Sequence, residues 1–420
     1  MSVNVEERKR FQAEDAQPLA RLLPGDLTGE DHKSGRYSYF GDHERFVIVV
    51  GAQEPDVDWA LVCGLAERHG RRLVLVLPAD AAFATRQRAP WLTDETRPEI
   101  WTHQARAVTR APVLDREQTV ESVTRWAKDR SAGKGPVAEL KTASTPLHLG
   151  RFSAGVTALA EWATSDPQLD AAHRQGERSW HCLGQKVLSL RLQHGVLDIR
   201  AGIHDGARSA HPDRTVQPGE ALAEDDLRAL QDGVNAGITA RSTPGPPYGP
   251  DEHWLQSRMR QDPSLVGVES PALREVPAWR PSGAENTFGR GYLDLLGLDG
   301  HGDVRLVEAK LARSTDEMTL LQGLDYHVWA TAYRQAILEK LSAPDAARIR
   351  LHYAVGTTPA DTHHLPARVF QYAHALDTHA VPFRFHIISG WDTTIPSTRT
   401  TTRTHALPDG ELPQPGMNPA

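Results

Sequence analysis

Two acidic residues and a lysine occupy unusual places in the stretch GYLDLLGLDGHGDVRLVEAK, residues 291–310. Asp294 lies in one apolar run, and Glu308 and Lys310 lie in the next, where a buried strand normally carries valine or leucine. Charged groups in such runs indicate a built site, because a buried charge is costly unless it is paired or binds a metal ion.

The turn between the two runs determines which residues face each other. A loop at residues 300–302, with Gly302 in the left-handed conformation of a bulged turn, puts Asp294 opposite Glu308. Directly opposed residues share a face, with Cβ atoms roughly 5 Å apart, which is close enough for one divalent ion. The two-residue period of a strand sends Lys310 to the same face as Glu308. The hairpin is therefore predicted to bring the three side chains to one spot.

Such a set is suited to hydrolysis of a phosphodiester with the help of a metal ion. A divalent ion held by carboxylates supplies a nucleophilic water, stabilises charge at phosphorus and assists the leaving oxygen. Hard oxygen ligands, without a cysteine set or a histidine cluster, favour Mg²⁺ or Mn²⁺ over zinc. A lysine beside them neutralises the developing charge or orients the attacking water.

Composition limits the class of protein. The 420 residues favour two or three domains, and no apolar run is long enough to span a bilayer. The start, MSVNVEERKRF, lacks the apolar stretch of a signal peptide, and there are only two cysteines. We therefore expect a cytoplasmic protein without a disulfide framework. The net charge of -7 requires any contact with nucleic acid to be local.

The hydrophobic pattern predicts an α/β protein in five segments. These are a polar, loosely attached N-terminal arm (1–40), a Rossmann-like domain (41–128), a small α/β middle segment (137–241), a C-terminal α/β domain (245–395) and a disordered tail (396–420). The glycine- and proline-rich stretches DRSAGKGP and STPGPPYGP mark the two limits of the middle segment.

The second segment has the pattern of a βαβ unit with a parallel sheet. FVIVVG and RRLVLVLP predict buried strands, and DWALVCGLAERHG between them predicts a helix. A third strand is expected near Glu99 to Trp101. The loop GAQEPD after the first strand lacks the glycine pattern of a dinucleotide site and the lysine of a P-loop. A structural or assembly role is therefore favoured over a sensor role.

The middle segment offers a second acidic candidate. VLSLRL and VLDIRAGI predict a hairpin, with Asp198 on its second strand, and residues 224–237 predict a helix. No carboxylate on VLSLRL faces Asp198, so its position fits solvent-facing alternation.

A helix precedes the acidic hairpin of the C-terminal segment. The run DEHWLQSRMRQDPSL begins at Asp251 and ends before Pro263. Glu252 lies on its apolar stripe, either wet in the first turn or aimed at a cation. Acidic residues are also favoured in first turns by the helix dipole alone.

Another helix follows the hairpin. Ser314 to Glu317 fits a capping box that opens a long helix through about Leu341. Gln322 and Tyr326 are four residues apart on it and are therefore neighbours on one face. A tyrosine on a half-buried helix is also common in a core.

This series resembles the PD-(D/E)XK nuclease superfamily over roughly residues 245–395. The matching positions are Glu252 on a leading helix, Asp294 on a strand, Glu308-Ala309-Lys310 on the next strand, and Gln322-x-x-x-Tyr326 on the following helix. Leu293 stands where the family name has proline. The resemblance implies a restriction-endonuclease-like core and metal-dependent cleavage, with DNA as the substrate that most of the superfamily cuts.

The resemblance also implies roles for single residues. Asp294 and Glu308 would be metal ligands, with Glu252 as an accessory ligand. Lys310 would orient water or stabilise charge, and Gln322 with Tyr326 would support the site or contact nucleic acid. Glu285 is an alternative to Glu252.

Further expectations follow from the resemblance. The main one is a Mg²⁺- or Mn²⁺-dependent endonuclease on DNA, with a homodimer as an expected assembly and no membrane contact. A Rossmann-like domain before such a nuclease also resembles the layout of nucleotide-activated defence nucleases, which would add a small nucleotide ligand at the N-terminal domain. A third alternative is a catalytically inert protein that binds nucleic acid.

Overall fold

The computed structural model describes residues 5–25, 27, 32–33, 36–52, 54, 57–129, 140, 147–174, 176–203, 213–243, 249–269, 271–282, 287–312, 318–358, 373–392 and 402–405. In these residues, helices accompany three sheets of six, five and six strands. The chain is thus an α/β protein. Crossing a bilayer would require a longer and more apolar helix than any of those described.

The first sheet confirms the predicted βαβ unit. Its strands are β1 (His32–Lys33), β2 (Ser38–Gly41), β3 (Arg45–Val49), β4 (Arg72–Pro78), β5 (Glu99–Gln104) and β6 (Ala107–Arg110). The helices of this region are α1 (Val5–Glu14), α2 (Ala16–Ala20), α3 (Trp59–Glu67), α4 (Phe83–Arg88) and α5 (Arg116–Asp129). Strands β3, β4 and β5 are parallel, with α3 and α4 in the connections between them. Strand β5 is the third strand expected near residue 99.

The prediction of a loosely attached N-terminal arm is wrong. Helices α1 and α2 pack on one face of the first sheet, where Phe11 and Leu19 join a core with strand residues such as Val47. Arg8 donates to Glu54 Oε2 at 2.9 Å, and the Glu54 side chain is only 1% exposed. Helix α1 shows no apolar period because it buries only two of its side chains, one of them a glutamine.

The middle segment is an antiparallel sheet with two helices. Its elements are α6 (Ala154–Ser165), β7 (Leu169–Arg174), β8 (Glu177–Cys182), β9 (Gln185–Gln193), β10 (Val196–Ala201), β11 (Asp213–Val216) and α7 (Glu224–Ser242). The predicted hairpin is β9 with β10, and α7 extends beyond the predicted helix. Asp198 forms an ion pair with Arg200 at 2.9 Å, away from any facing carboxylate on β9.

The third sheet carries the predicted site. Its elements are α8 (Glu252–Gln261), β12 (Leu273–Pro281), β13 (Phe288–Leu298), β14 (Val304–Leu311), α9 (Thr319–Ala332), α10 (Arg334–Leu341), β15 (Ile349–Thr357), β16 (Phe383–Ser389) and β17 (Thr402–His405). Strands β12, β13 and β14 are antiparallel neighbours, and β14, β15 and β16 are parallel neighbours. Strand β17 pairs with β16, so residues 402–405 correct the prediction of a wholly disordered tail.

The hairpin of β13 and β14 has the predicted register. Leu298 pairs with Val304 and Leu295 with Val307, and this pairing ends one position before Asp294 and Glu308. The turn also matches, because Gly302 has a φ of 78° and so uses the left-handed region that glycine tolerates.

The helices around the hairpin agree with the sequence in part. Asp251 caps α8 by accepting from the Trp254 backbone N–H, as a helix start requires. The long helix predicted after the hairpin is two helices instead, because Tyr333 leaves helical geometry with φ −109° and ψ 22°. The predicted capping box at 314–317 lies outside the described residues.

The first and third sheets share a hydrophobic core. Phe83 of α4 meets Phe288 of β13 edge to face, with ring centroids 5.5 Å apart. Trp126 of α5 packs on Trp279 of β12 at 4.8 Å. Apolar side chains from both regions thus leave water together, and the N-terminal region supports the sheet that carries the predicted site.

A buried histidine in this shared core gives stability a pH dependence. His327 of α9 is 3% exposed, bonds the Ala380 carbonyl oxygen at 3.0 Å and packs edge to face on Trp91. Burial lowers the pKa of His327 to about 4, and the hydrogen bond to Ala380 offsets only part of this. Between pH 6.5 and 4 the unfolded chain therefore binds a proton that the folded chain rejects, so stability falls as the pH falls.

We expect acidification from pH 7 to 4.5 to remove about 2.5 kcal/mol through His327 alone. Urea unfolding of the natural chain and of His327→Phe at both pH values isolates the contribution of His327 to the loss of stability, since every other titrating group contributes to both proteins. The variant should lose less stability on acidification by about that amount. An equal loss in the two proteins would rule out His327 as the source.

Candidate active site

Asp294 is held by two donors from different elements. Gln256 Nε2 of α8 donates to Asp294 Oδ1 at 2.8 Å, and the Ala309 backbone N–H of β14 donates to Oδ2 at 2.7 Å. Burial raises the pKa of Asp294 to about 6, although Lys310 and the Ala309 N–H both act to lower it. The carboxylate is oriented from both sides while its charge remains poorly solvated.

Glu308 is the most enclosed acid of the site. It is 1% exposed, and its Oε1 accepts from Lys310 Nζ at 3.1 Å. Among the residues that the structure describes, Oε2 has no hydrogen-bond partner. Burial, and then the charge of Asp294, raise the pKa of Glu308 well above its ordinary value. A buried carboxylate oxygen without a donor is costly in a folded protein, which is the condition that a bound cation relieves.

Lys310 lies between Glu308 of the hairpin and Glu252 of α8. Its Nζ lies 3.1 Å from Glu308 Oε1 and 3.0 Å from Glu252 Oε1. Burial alone would lower the pKa of Lys310, but Glu308, Glu252 and Asp294 together outweigh burial and raise it. The ammonium is therefore charged at neutral pH, and it serves as a positive centre rather than as a base.

Glu252 points into the site from the first turn of α8. Its side chain is 32% exposed, and its carboxylate meets Lys310. Of the two alternatives for Glu252, a wet acid in the first turn or an acid aimed at a cation, the contact with the Lys310 ammonium fits the second. Glu285, the alternative accessory acid, lies outside the described residues.

Gln256 belongs to the site although the sequence argument passed over it. It lies one helical turn after Glu252, so the two side chains leave the same face of α8. His253 Nδ1 faces Gln256 Oε1 at 3.2 Å, which leaves the amide nitrogen directed at Asp294. The available signal in the sequence was the position of Gln256, four residues after the candidate site residue Glu252.

Gln322 and Tyr326 lie behind the site and form no hydrogen bond with its carboxylates. Gln322 Nε2 donates to Tyr326 Oη at 3.1 Å, and Tyr326 Oη donates to the Tyr292 carbonyl oxygen at 3.1 Å. Tyr326 is 1% exposed, and burial raises its pKa to about 12, so the phenol is a lasting donor. The pair anchors the β13 backbone just before Asp294.

The middle segment clamps the start of α8. Arg241 of α7 is 1% exposed, and its guanidinium donates to Asp251 Oδ1 at 2.6 Å and to the Gly249 carbonyl oxygen at 3.0 Å. It also donates to the Leu183 carbonyl oxygen at 2.9 Å. The cap at Asp251 positions Glu252, the first residue of α8. Nothing in the sequence linked Arg241 to Glu252.

The donor set suits a hard divalent ion held by two carboxylates. Asp294 contacts the β14 backbone beside Glu308 through the Ala309 N–H, and Glu308 Oε2 is a buried oxygen without a donor among the described residues. Within the described ranges, no three His, Cys, Asp or Glu side chains are grouped so that they could hold a metal ion. Glu252 contacts Lys310 and does not complete the predicted three-carboxylate set in this conformation.

No protein-family model matches the chain, and no curated protein matches it.

Proposed function

We propose that the chain is a metal-dependent nuclease that hydrolyses phosphodiester bonds in DNA, with a C-terminal core of the PD-(D/E)XK type. The observation that carries this proposal is the convergence of Asp294, Glu308 and Lys310, with one buried oxygen of Glu308 lacking a donor. Asp294 and Glu308 would hold Mg²⁺ or Mn²⁺, which supplies a nucleophilic water and charge stabilisation when bound.

Each residue has a task that follows from its contacts. Lys310 is charged and lies beside Glu308, so it can neutralise a developing negative charge on a phosphoryl oxygen. Gln256 and the Ala309 N–H keep Asp294 oriented, which reduces the reorganisation needed when phosphate enters. Glu252 keeps Lys310 placed between two carboxylates.

The alternative of a catalytically inert protein that binds nucleic acid predicts the opposite, namely no pair of acids at the site. A protein that only binds nucleic acid gains nothing from two opposed acids at a phosphate site, because they repel the backbone charge. Glu308 is buried and Asp294 is partly buried, and burial raises the pKa of both carboxyl groups. Two such acids beside a lysine favour catalysis over binding alone.

The nucleotide-activated alternative has weaker support in the N-terminal region. A cavity of about 720 Å³ lies beyond the carboxyl ends of β4 and β5, and it contains the side chains of Asp15 and Asp80 with the single arginine Arg106. Two carboxylates disfavour a ligand rich in phosphates, and the loop after β3 has no glycine-rich cradle. Control by a nucleotide therefore remains a secondary hypothesis.

The proposed activity is tested with supercoiled plasmid. We expect purified protein to nick the plasmid in Mn²⁺ or Mg²⁺ and to stop when the metal is chelated. Lys310→Ala should lower the rate by roughly 100- to 1,000-fold, because it removes the positive charge beside Glu308.

Asp198→Ala serves as the matched control. It removes a strand carboxylate that is paired with an arginine on the middle sheet, outside the proposed site. It should cut at the natural rate. Equal cutting by Lys310→Ala and the natural chain would refute the proposed role of the site, and so would cutting that survives chelation.

A further inference from the structure

Tyr292 is an exposed aromatic side chain on the strand that carries Asp294. Exposure alternates over residues 290–293 of β13, since Arg290 and Tyr292 are exposed and Gly291 and Leu293 are buried. Tyr292 is 36% exposed, and few other large apolar side chains of the described chain are exposed to that extent. The two-residue period sends it to the same side of the strand as Arg290 and Asp294.

The backbone at Tyr292 is held from the opposite side. Tyr326 Oη donates to the Tyr292 carbonyl oxygen at 3.1 Å. Gly291 makes this approach possible, because a Cβ there would lie 2.7 Å from Tyr326 Oη. The buried tyrosine of α9 thus secures the position from which the exposed tyrosine projects.

A guanidinium lies against this ring. Arg290 Cζ is 5.1 Å from the ring centroid of Tyr292, within the range of a cation–π contact. An aromatic ring and an arginine side by side provide both elements with which proteins hold an unpaired nucleotide, a stacking surface and a positive charge for the backbone.

We propose that Tyr292 stacks on a nucleobase next to the phosphate that a metal ion at Asp294 and Glu308 would hold, so that the site takes single-stranded or frayed DNA in preference to intact duplex. Two residues along a strand span about 7 Å, so the ring lies within one nucleotide of the acids. A base inside a duplex has both faces covered by its neighbours and cannot meet the ring without being unstacked. This inference rests on the proposed nuclease function.

The test measures binding and cleavage separately. Fluorescence anisotropy in Mn²⁺, with a labelled single strand and with Lys310→Ala added to every protein to slow cleavage, gives the dissociation constant. Tyr292→Ala should weaken binding by about 5- to 150-fold, the range expected for loss of one base–aromatic stack. Tyr292→Phe should bind like the natural chain. Val113→Ala, which trims another exposed apolar side chain, should also bind normally.

An abasic strand of the same length distinguishes stacking from a structural role. Tyr292→Ala should bind this strand as the natural chain does, because there is no base left to stack. The same loss on abasic and normal strands, or no loss on either, would overturn the stacking proposal. Binding that shows the stack while the natural chain cuts no DNA in any metal would count against the nuclease function alone.

Discussion

Glu308→Gln is expected to abolish cleavage and, at pH 8, to make the protein more stable than the natural chain. The amide keeps the shape of Glu308 and can still accept from Lys310. It cannot supply the negative charge that holds a divalent ion, so the cleavage rate should fall by roughly 100- to 1,000-fold or more. Plasmid nicking in Mn²⁺ measures this loss.

The stability gain follows from the raised pKa of Glu308. Burial disfavours its charged form, so the folded chain holds a proton at pH values where the unfolded chain has released it. Stability of the natural chain therefore rises as the pH falls through the folded pKa, and it is lowest when Glu308 is ionised. Glutamine does not titrate, so the variant should unfold at a higher temperature at pH 8, and the difference should vanish below pH 4.5.

A thermal shift with metal gives a readout that does not depend on activity. Mn²⁺ at ten times its dissociation constant should stabilise the natural chain by about 1.4 kcal/mol at pH 8. The Glu308→Gln variant should show no such shift, and Asp198→Ala should shift like the natural chain. Equal shifts in the natural chain and Glu308→Gln would place the metal elsewhere.

The centre of the site was predictable because strand geometry is local. The turn at Gly302 was sufficient to predict the register as far as Leu295 and Val307, and the two-residue period was sufficient to put Lys310 beside Glu308. Glu252 could be placed on the inner face of its helix by helical period alone. In each case, a short stretch of sequence determines the direction of the side chain.

The parts that could not be predicted depend on contacts between distant segments. Arg241 clamps the α8 start from the middle sheet, and its sequence neighbourhood carries no sign of this. The break at Tyr333 lies inside the single helix that was predicted to run through about Leu341. Helix α1 packs on the first sheet through few side chains, so composition suggested a free arm. Tertiary contacts determine these features, and helical or strand period does not encode them.

Replacing Arg88 with alanine is expected to cost about 3–5 kcal/mol of stability, although Arg88 lies in the N-terminal region and far from Asp294 in sequence. Its guanidinium donates to both oxygens of Asp325 on α9, at 2.8 and 2.7 Å, and lies 2.9 Å from Asp58 at the start of α3. Burial alone would lower the pKa of Arg88, but Asp325 and Asp58 outweigh burial and raise it. The alanine variant would leave Asp325 buried at 2% exposure without its cation.

Chemical unfolding of Arg88→Ala measures this cost. Arg125→Ala is the matched control, because it breaks an arginine–glutamate pair on exposed side chains of α5 and should cost no more than about 0.5 kcal/mol. Arg88→Met combined with Asp325→Leu removes both buried charges and should recover most of the stability. A cost for Arg88→Ala as small as that of Arg125→Ala would contradict the buried pair.

The cleavage rate of Arg88→Ala distinguishes a purely local ion pair from one that supports the proposed site through the shared core. Asp325 precedes Tyr326, which holds the β13 backbone at Tyr292, so loss of the ion pair should slow cleavage below the temperature of unfolding. The first and third sheets share one apolar core. Both sheets of the natural chain should therefore unfold together in a single transition. Two separate transitions, with cleavage unchanged in Arg88→Ala, would mean that the N-terminal sheet merely rests on the proposed nuclease core. A single transition with slowed cleavage would mean that the N-terminal sheet helps to build the site, so that any ligand or partner that shifts α4 would reach the acids through Arg88 and α9.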